Sequence, residues 1–125
     1  MNIIYCNYFY ILVKYIYGGI KMTHIENNFK EEVLNNEGIT IVDFWAPWCG
    51  PCKMFSSVFS EAEENFKKIK FCKLNVDEDK NNVCKEYSVM SIPTVIIFKN
   101  GKEIKRNIGF MNREAFKNFI GDLDV

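Results

Sequence analysis

Short apolar runs that are typical of buried strands alternate in this sequence with segments whose apolar residues recur every three or four positions. This alternation limits the possible folds more than any other feature. The strand-like runs are residues 39–44, 71–76 and 94–99. Continuous apolar runs of this length are typical of strands that are covered on both faces. We therefore expect helices on both sides of a central sheet.

Helical spacing is clearest over residues 49–68, where one face collects the apolar side chains Met54, Phe55, Val58, Phe59, Ala62 and Phe66. Shorter helices are predicted at 29–35, 83–87 and 113–123, and a short strand at 21–25. Asn100-Gly101 suits a two-residue hairpin turn, so a returning strand is expected at 103–108. The prediction is an α/β fold, with a central mixed β-sheet of four or five strands flanked by about four helices.

Composition limits the function as well as the fold. The chain has 125 residues, of which 48% are hydrophobic, so it can bury the core of one domain. Its 16 basic residues balance its 16 acidic ones, which argues against nucleic acid as a partner. The five cysteines are irregularly spaced and do not indicate a secreted disulfide framework.

The first residues differ from the rest of the chain. Residues 1–20 hold five of the six tyrosines but a single charge, Lys14. We interpret residues 1–21 as an apolar extension and residues 22–125 as the domain. Three interpretations of the extension stay open: a tail or a wrongly assigned start ahead of Met22, a membrane or interfacial anchor, and an export signal.

Two thiols lie three residues apart in Trp48-Cys49-Gly50-Pro51-Cys52, at the predicted start of the long helix. A helix N-terminus presents unpaired N–H groups and a positive dipole end, which favour a thiolate on the first cysteine. We therefore expect Cys49 to be the nucleophile. Cys52, one turn further in, is expected to attack the resulting mixed disulfide and release the reduced product. Pro51 has no N–H to lose there and stiffens the loop.

One charged residue interrupts an apolar strand. Asp43 lies within the run 39–44. Burying a carboxylate is costly unless it is paired or protonated, so a structural role explains this residue poorly. We predict a functional role for Asp43.

The thioredoxin family is the one that this sequence resembles. Its active-site sequence is similar to residues 42–54, VDFWAPWCGPCKM. Residues 73–77 (KLNVD), 91–94 (SIPT) and 98–101 (FKNG) resemble further family segments in the expected order, so the resemblance covers roughly residues 22–123. Ser57 stands where the family usually has a proline that kinks the long helix. The resemblance implies a thioredoxin fold and reduction of protein disulfides.

The resemblance also implies roles for individual residues. Cys49 and Cys52 would be the redox pair, Asp43 the buried carboxylate beneath Cys52, and Lys73 its charged neighbour. Pro93 would follow a cis peptide bond, and Gly50-Pro51 between the thiols resembles reductants more than oxidants. The residues expected to bind substrate are Trp48, Gly50, Pro51, Ile92, Pro93 and Gly109.

The implied partners are protein disulfides and a thioredoxin reductase, a flavoprotein that draws on NADPH, so the chain itself needs no cofactor. We expect a cytoplasmic monomer, with membrane association only through residues 1–21. A zinc site is disfavoured, since His24, Cys72 and Cys84 are the remaining ligand candidates and lie on separate elements. Two alternatives stay open: a membrane-tethered or exported thiol-disulfide exchanger, and a non-catalytic thioredoxin-fold binding module.

Overall fold

The structure is a computed structural model, and it describes residues 22–123. The predicted extension 1–21 lies outside the described residues, and so do the interpretations that depend on it. Among residues 22–123, no helix is both long and apolar enough to span a membrane. The predicted domain is thus described except for residues 124 and 125.

Five strands form one mixed sheet in the order β1-β3-β2-β4-β5. Strands β1, β3 and β2 run parallel to one another, whereas β4 is antiparallel to β2 and β5 is antiparallel to β4. The strands are β1 (Thr23–His24), β2 (Ile39–Trp45), β3 (Lys70–Asn75), β4 (Thr94–Lys99) and β5 (Lys102–Ile108). The predicted mixed sheet is confirmed, with five strands.

Four helices flank the sheet: α1 (Lys30–Leu34), α2 (Gly50–Asn65), α3 (Val83–Glu86) and α4 (Arg113–Ile120). A 3-10 turn, Val76–Glu78, follows β3. Helix α1 has π-type hydrogen bonds, with the Asn35 N–H donating to the Lys30 carbonyl at 2.9 Å. Helices α2 and α4 are shorter than predicted. Phe66 and Leu123, which suggested longer helices, still pack against the core from the turns that follow.

The core has two layers because strand residues alternate between the faces of the sheet. Ile41 faces α2 and α4, where it packs with Phe55, Phe59 and Phe116. The next residue, Val42, lies in the opposite layer, formed by these buried residues: Ile25, Phe29, Val33, Val42, Phe44, Cys72, Leu74, Val83, Ile96 and Phe98. Helices therefore cover both faces of the sheet, as predicted.

The β4–β5 hairpin turns at Asn100 and Gly101, which both adopt positive φ, 50° and 81°. Positive φ at both central positions is what a tight hairpin of this kind requires. A Cβ on Gly101 would also lie 2.3 Å from the Leu34 carbonyl oxygen, so glycine is required there on two grounds. The predicted turn is therefore present.

Candidate functional site

Cys49 and Cys52 form a disulfide at the start of α2, with their Cα atoms 5.2 Å apart. Cys49 is the N-cap of the helix, and its Sγ accepts a hydrogen bond from the Cys52 N–H at 3.2 Å. Pro51 lies in the first turn, where its missing N–H leaves no hydrogen bond unmade. The first turn of the helix therefore directs the Cys52 N–H at the sulfur of Cys49.

The two sulfurs have different surroundings. Cys49 retains 6% of its surface in contact with solvent, whereas Cys52 retains 2%. The Cys49 Sγ lies 3.9 Å from the carbonyl oxygen of Ile92, in the loop ahead of β4. Cys49 is therefore the cysteine at the edge of the site, and Cys52 lies further inside.

Asp43 lies on β2, on the face that packs against α2, and is completely buried. Neither of its carboxylate oxygens has a hydrogen-bond partner among the described residues. Burial raises the pKa of Asp43 from 3.8 to about 7, although the positive charge of Lys73 acts in the opposite direction. A carboxyl group with that pKa can both accept and release a proton near neutral pH.

Lys73 is the β3 residue in register with Asp43, and it reaches the same buried space. Its Nζ lies 3.9 Å from the Asp43 Oδ2, and its side chain is only 11% exposed. The ammonium also lies 4.9 Å from the centre of the Trp45 ring. Lys73 therefore forms an ion pair with Asp43, as predicted, but the two side chains make no direct hydrogen bond.

A shallow groove of about 190 Å³ runs beside the disulfide, lined by Trp48, Val76, Cys84, Val89, Met90, Ser91 and Ile92. The Trp48 side chain is 69% exposed, and its Nε1 donates to Asp77 Oδ2 at 2.8 Å, which fixes the ring beside the groove. Sequence reasoning missed Asp77. No local pattern signals this pairing, because the fold alone brings the two side chains together.

The Ile92–Pro93 peptide bond is cis, as the resemblance implied. The carbonyl oxygen of Pro93 accepts a hydrogen bond from the Gly109 N–H at 2.8 Å. Gly109 has φ of 102°, a conformation that side-chain-bearing residues rarely adopt. This bond joins the Pro93 loop to the end of β5.

Cys72 and Cys84 are free thiols outside the disulfide. Burial raises the pKa of both thiols to about 12, and at Cys84 the hydrogen-bonded and negatively charged Asp79 adds to this effect. Neither thiol is therefore ionised near neutral pH. Among residues 22–123, no three His, Cys, Asp or Glu side chains cluster closely enough to hold a metal ion.

The sequence-predicted residues thus fall into three neighbouring groups. Cys49 and Cys52 pack with Ile92. Asp43 and Lys73 face each other under α2. The remaining predicted residues are called the rim residues. They are Trp48, Gly50 and Pro51, which adjoin the two cysteines in the chain, and Pro93 and Gly109, which a backbone hydrogen bond joins. A cysteine pair that closes a disulfide at a helix N-terminus, beside an open groove, defines a thiol-disulfide oxidoreductase.

Comparison with known proteins identifies the family. The Thioredoxin family model matches residues 20–122. Thioredoxin of Rickettsia felis is 41% identical over 96 residues, which cover 76% of this chain and 90% of that protein. Thioredoxin of Bacillus subtilis is 42% identical over 86 residues, covering 68% and 82%. Thioredoxin of Pyropia yezoensis is 51% identical over 83 residues, covering 66% and 77%. The chain belongs to the thioredoxin family.

Membership of this family, together with the Cys49–Cys52 pair, makes the chain a protein-disulfide reductase of the dithiol type. Its substrates are protein disulfides, and a reductase returns the cysteine pair to the dithiol state.

Proposed function

We propose that Cys49 is the attacking thiolate and that Cys52 resolves the mixed disulfide. The observation that carries this assignment is the N-cap position of Cys49, whose sulfur accepts the Cys52 N–H at 3.2 Å. A thiolate at that position is stabilised by the helix dipole and by the same hydrogen bond. Cys52 is not at the N-cap and is more buried than Cys49, so it stays a thiol until the second step.

The reaction then runs in two exchanges. The Cys49 thiolate attacks one sulfur of the substrate disulfide, and the other substrate sulfur leaves as a thiolate. Cys52 gives its proton to the Asp43 carboxylate and attacks the Cys49 sulfur, so the second substrate sulfur leaves. Two electrons have passed to the substrate, and Cys49 and Cys52 are left as a disulfide.

Asp43 and Lys73 support the second exchange. A pKa of about 7 leaves much of Asp43 ionised near neutral pH and able to take the Cys52 proton. The Lys73 ammonium, 3.9 Å away, stabilises the ionised carboxylate. Without this positive charge the buried carboxyl group would remain protonated to a higher pH.

The substrate lies across the rim residues. We place an extended substrate segment beside the Ile92–Pro93 loop, with the exposed Trp48 ring on one side and Gly109 on the other. Gly50 and Pro51 are exposed between the two cysteines, and neither has a long side chain that would obstruct an approaching disulfide. The small size of Gly50 and Pro51 allows different protein disulfides to reach Cys49.

The reductase that recycles the protein is, by family resemblance, a thioredoxin reductase, a flavoprotein using NADPH. We further propose that the protein is a cytoplasmic monomer that does not bind nucleic acid. Support comes from the free thiols of Cys72 and Cys84, which suit a reducing compartment, and from the balanced charge. The domain would be residues 22–125, with 1–21 an extension outside it. Mass spectrometry of the N-terminal peptide in membrane and soluble cell fractions tests this placement.

The Cys52→Ser variant tests the two cysteine roles. It retains the attacking thiolate but cannot release the substrate, so we expect mixed disulfides with client proteins to accumulate on Cys49. The complexes are captured from a lysate, separated without reductant and identified at Cys49 by mass spectrometry. Cys49→Ser serves as the matched control and should trap no client. Trapping by Cys49→Ser and not by Cys52→Ser would reverse the roles.

A further inference from the structure

Ser56 is absent from the site that the sequence predicts, yet it touches that site. It lies on α2 four residues after Cys52, so the two side chains share one face of the helix. Its hydroxyl oxygen accepts a hydrogen bond from Lys73 Nζ at 3.0 Å. The Lys73 side chain is only 11% exposed, so few water molecules can reach its ammonium and replace this hydroxyl as an acceptor.

The Lys73 ammonium therefore has two kinds of neighbour. It donates to the neutral Ser56 hydroxyl and lies over the Trp45 ring. The Asp43 Oδ2, at 3.9 Å, is beyond hydrogen-bond distance, although both Asp43 oxygens lack a hydrogen-bond partner among the described residues. The charged donor thus bonds to a hydroxyl while a free carboxylate lies nearby.

We propose that Ser56 is a positioning residue, which holds the Lys73 ammonium away from Asp43 and so sets how readily Asp43 takes up the Cys52 proton. The inference rests on the proposed role of Asp43 as the proton acceptor. It adds a residue on α2 that acts on Asp43 through Lys73 and that need not touch the substrate.

The surroundings of Asp43 show why the position of one ammonium matters. Among the described residues, Lys73 on β3 is the charged group that lowers the pKa of Asp43. The register partner on the other side is Val95 of β4, which is apolar, and on α2 the hydroxyl of Ser56 reaches the Lys73 ammonium. In a buried space of this kind, the distance between two charges largely decides the strength of their interaction.

The Ser56→Ala variant should therefore lower the pKa of Asp43. Without the hydroxyl, the ammonium loses the hydrogen bond that holds it at this position, and the Asp43 carboxylate, 3.9 Å from it, has free lone pairs to accept a bond. Closing the 3.9 Å separation to a hydrogen bond of about 2.9 Å should lower the pKa of Asp43 by about 1, at an effective dielectric constant of about 20. Alanine favours the helix, so the variant should fold.

The direct measurement is a carbon-13 NMR titration of the Asp43 carboxyl group in the oxidised full-length protein. Ser57→Ala is the matched control, because Ser57 is the neighbouring serine on the same helix and is exposed. We expect a lower pKa of Asp43 in Ser56→Ala, no change in Ser57→Ala, and the parent value in Ser56→Thr. An unchanged or higher pKa of Asp43 in Ser56→Ala would overturn the proposal.

A second comparison tests whether Ser56 acts through Lys73. In a Lys73→Met background, adding Ser56→Ala should leave the pKa of Asp43 unchanged. A shift of the same size in that background would also overturn the proposal. The pH profile of the second exchange step reports the role of Asp43 separately. Ser56→Ala could lower the pKa of Asp43 in the NMR titration and leave the pH dependence of the second exchange rate unchanged. Asp43 would then not be the proton acceptor, whereas the positioning of Lys73 by Ser56 would stand.

Discussion

Replacing Cys49 with serine abolishes protein-disulfide reduction, and we expect turnover of insulin disulfides to fall by roughly 1000-fold or more. A serine hydroxyl neither attacks a disulfide sulfur nor forms a disulfide with Cys52, so both exchanges are lost. The measurement is reduction of insulin with dithiothreitol as the final reductant, followed by the precipitation of the free B chain.

Cys84→Ser is the matched control for this loss. Cys84 lines the groove beside the active site, but its raised pKa of about 12 keeps it protonated. We therefore expect unchanged turnover in Cys84→Ser. Full activity in Cys49→Ser would contradict the dithiol mechanism and would favour a binding module in which the thiols are incidental.

Replacing Asp43 with asparagine should stabilise the protein at pH 8. The pKa of Asp43 is about 7 in the folded state and 3.8 in the unfolded state. Asp43 therefore contributes fully to stability at pH values below 3.8. That contribution is lost as the pH rises through about 7. We expect Asp43→Asn to have a free energy of unfolding about 2 to 4 kcal/mol higher than the parent at pH 8, with the gain shrinking towards pH 4.

Denaturant unfolding at several pH values measures this difference. Asp122→Asn is the control, because Asp122 is exposed and removing its charge should not change the stability by more than about 0.5 kcal/mol. A less stable Asp43→Asn at pH 8 would mean that Asp43 is chiefly a structural partner of Lys73, and its role as a poised base would fail.

The same Asp43→Asn variant should be more stable than the parent at pH 8 but a slower catalyst. Asparagine cannot take the Cys52 proton, so the second exchange should slow by about 10- to 100-fold. This is the low end of general-base effects, because thiols ionise readily without help. Single-turnover reduction of a protein disulfide, with rapid acid quenching, measures the rate. An unchanged rate would remove Asp43 from the mechanism.

The strands and the redox pair could be predicted because each has a local cause. The run 39–44 lies within β2, and the Asn100-Gly101 turn was predicted because few residues adopt positive φ. Asp43 stood out because a carboxylate in an apolar strand violates the pattern of its neighbours. The roles of Cys49 and Cys52 as attacking and resolving cysteines were predicted from the physics of a helix N-terminus, before any resemblance was used, and they stay a prediction.

Other features depend on the fold and left no local signal. Apolar spacing predicted α2 to residue 68, because Phe66 packs against the core whether it lies in the helix or in the turn after it. The contact of Trp48 with Asp77 and that of Ser56 with Lys73 join residues far apart in the chain. Such pairs depend on how α2 and the loop before it pack against β3 and the turn after it, which spacing along the sequence does not specify.

The most direct test of the reductase mechanism is a stoichiometric one. The fully reduced protein is mixed with one equivalent of a protein disulfide, quenched with acid, alkylated under denaturing conditions and mapped by peptide mass spectrometry. We expect a Cys49–Cys52 disulfide to form in step with two new substrate thiols, while Cys72 and Cys84 are recovered alkylated. Reduction of the substrate with Cys49 and Cys52 recovered as alkylated thiols would contradict the mechanism.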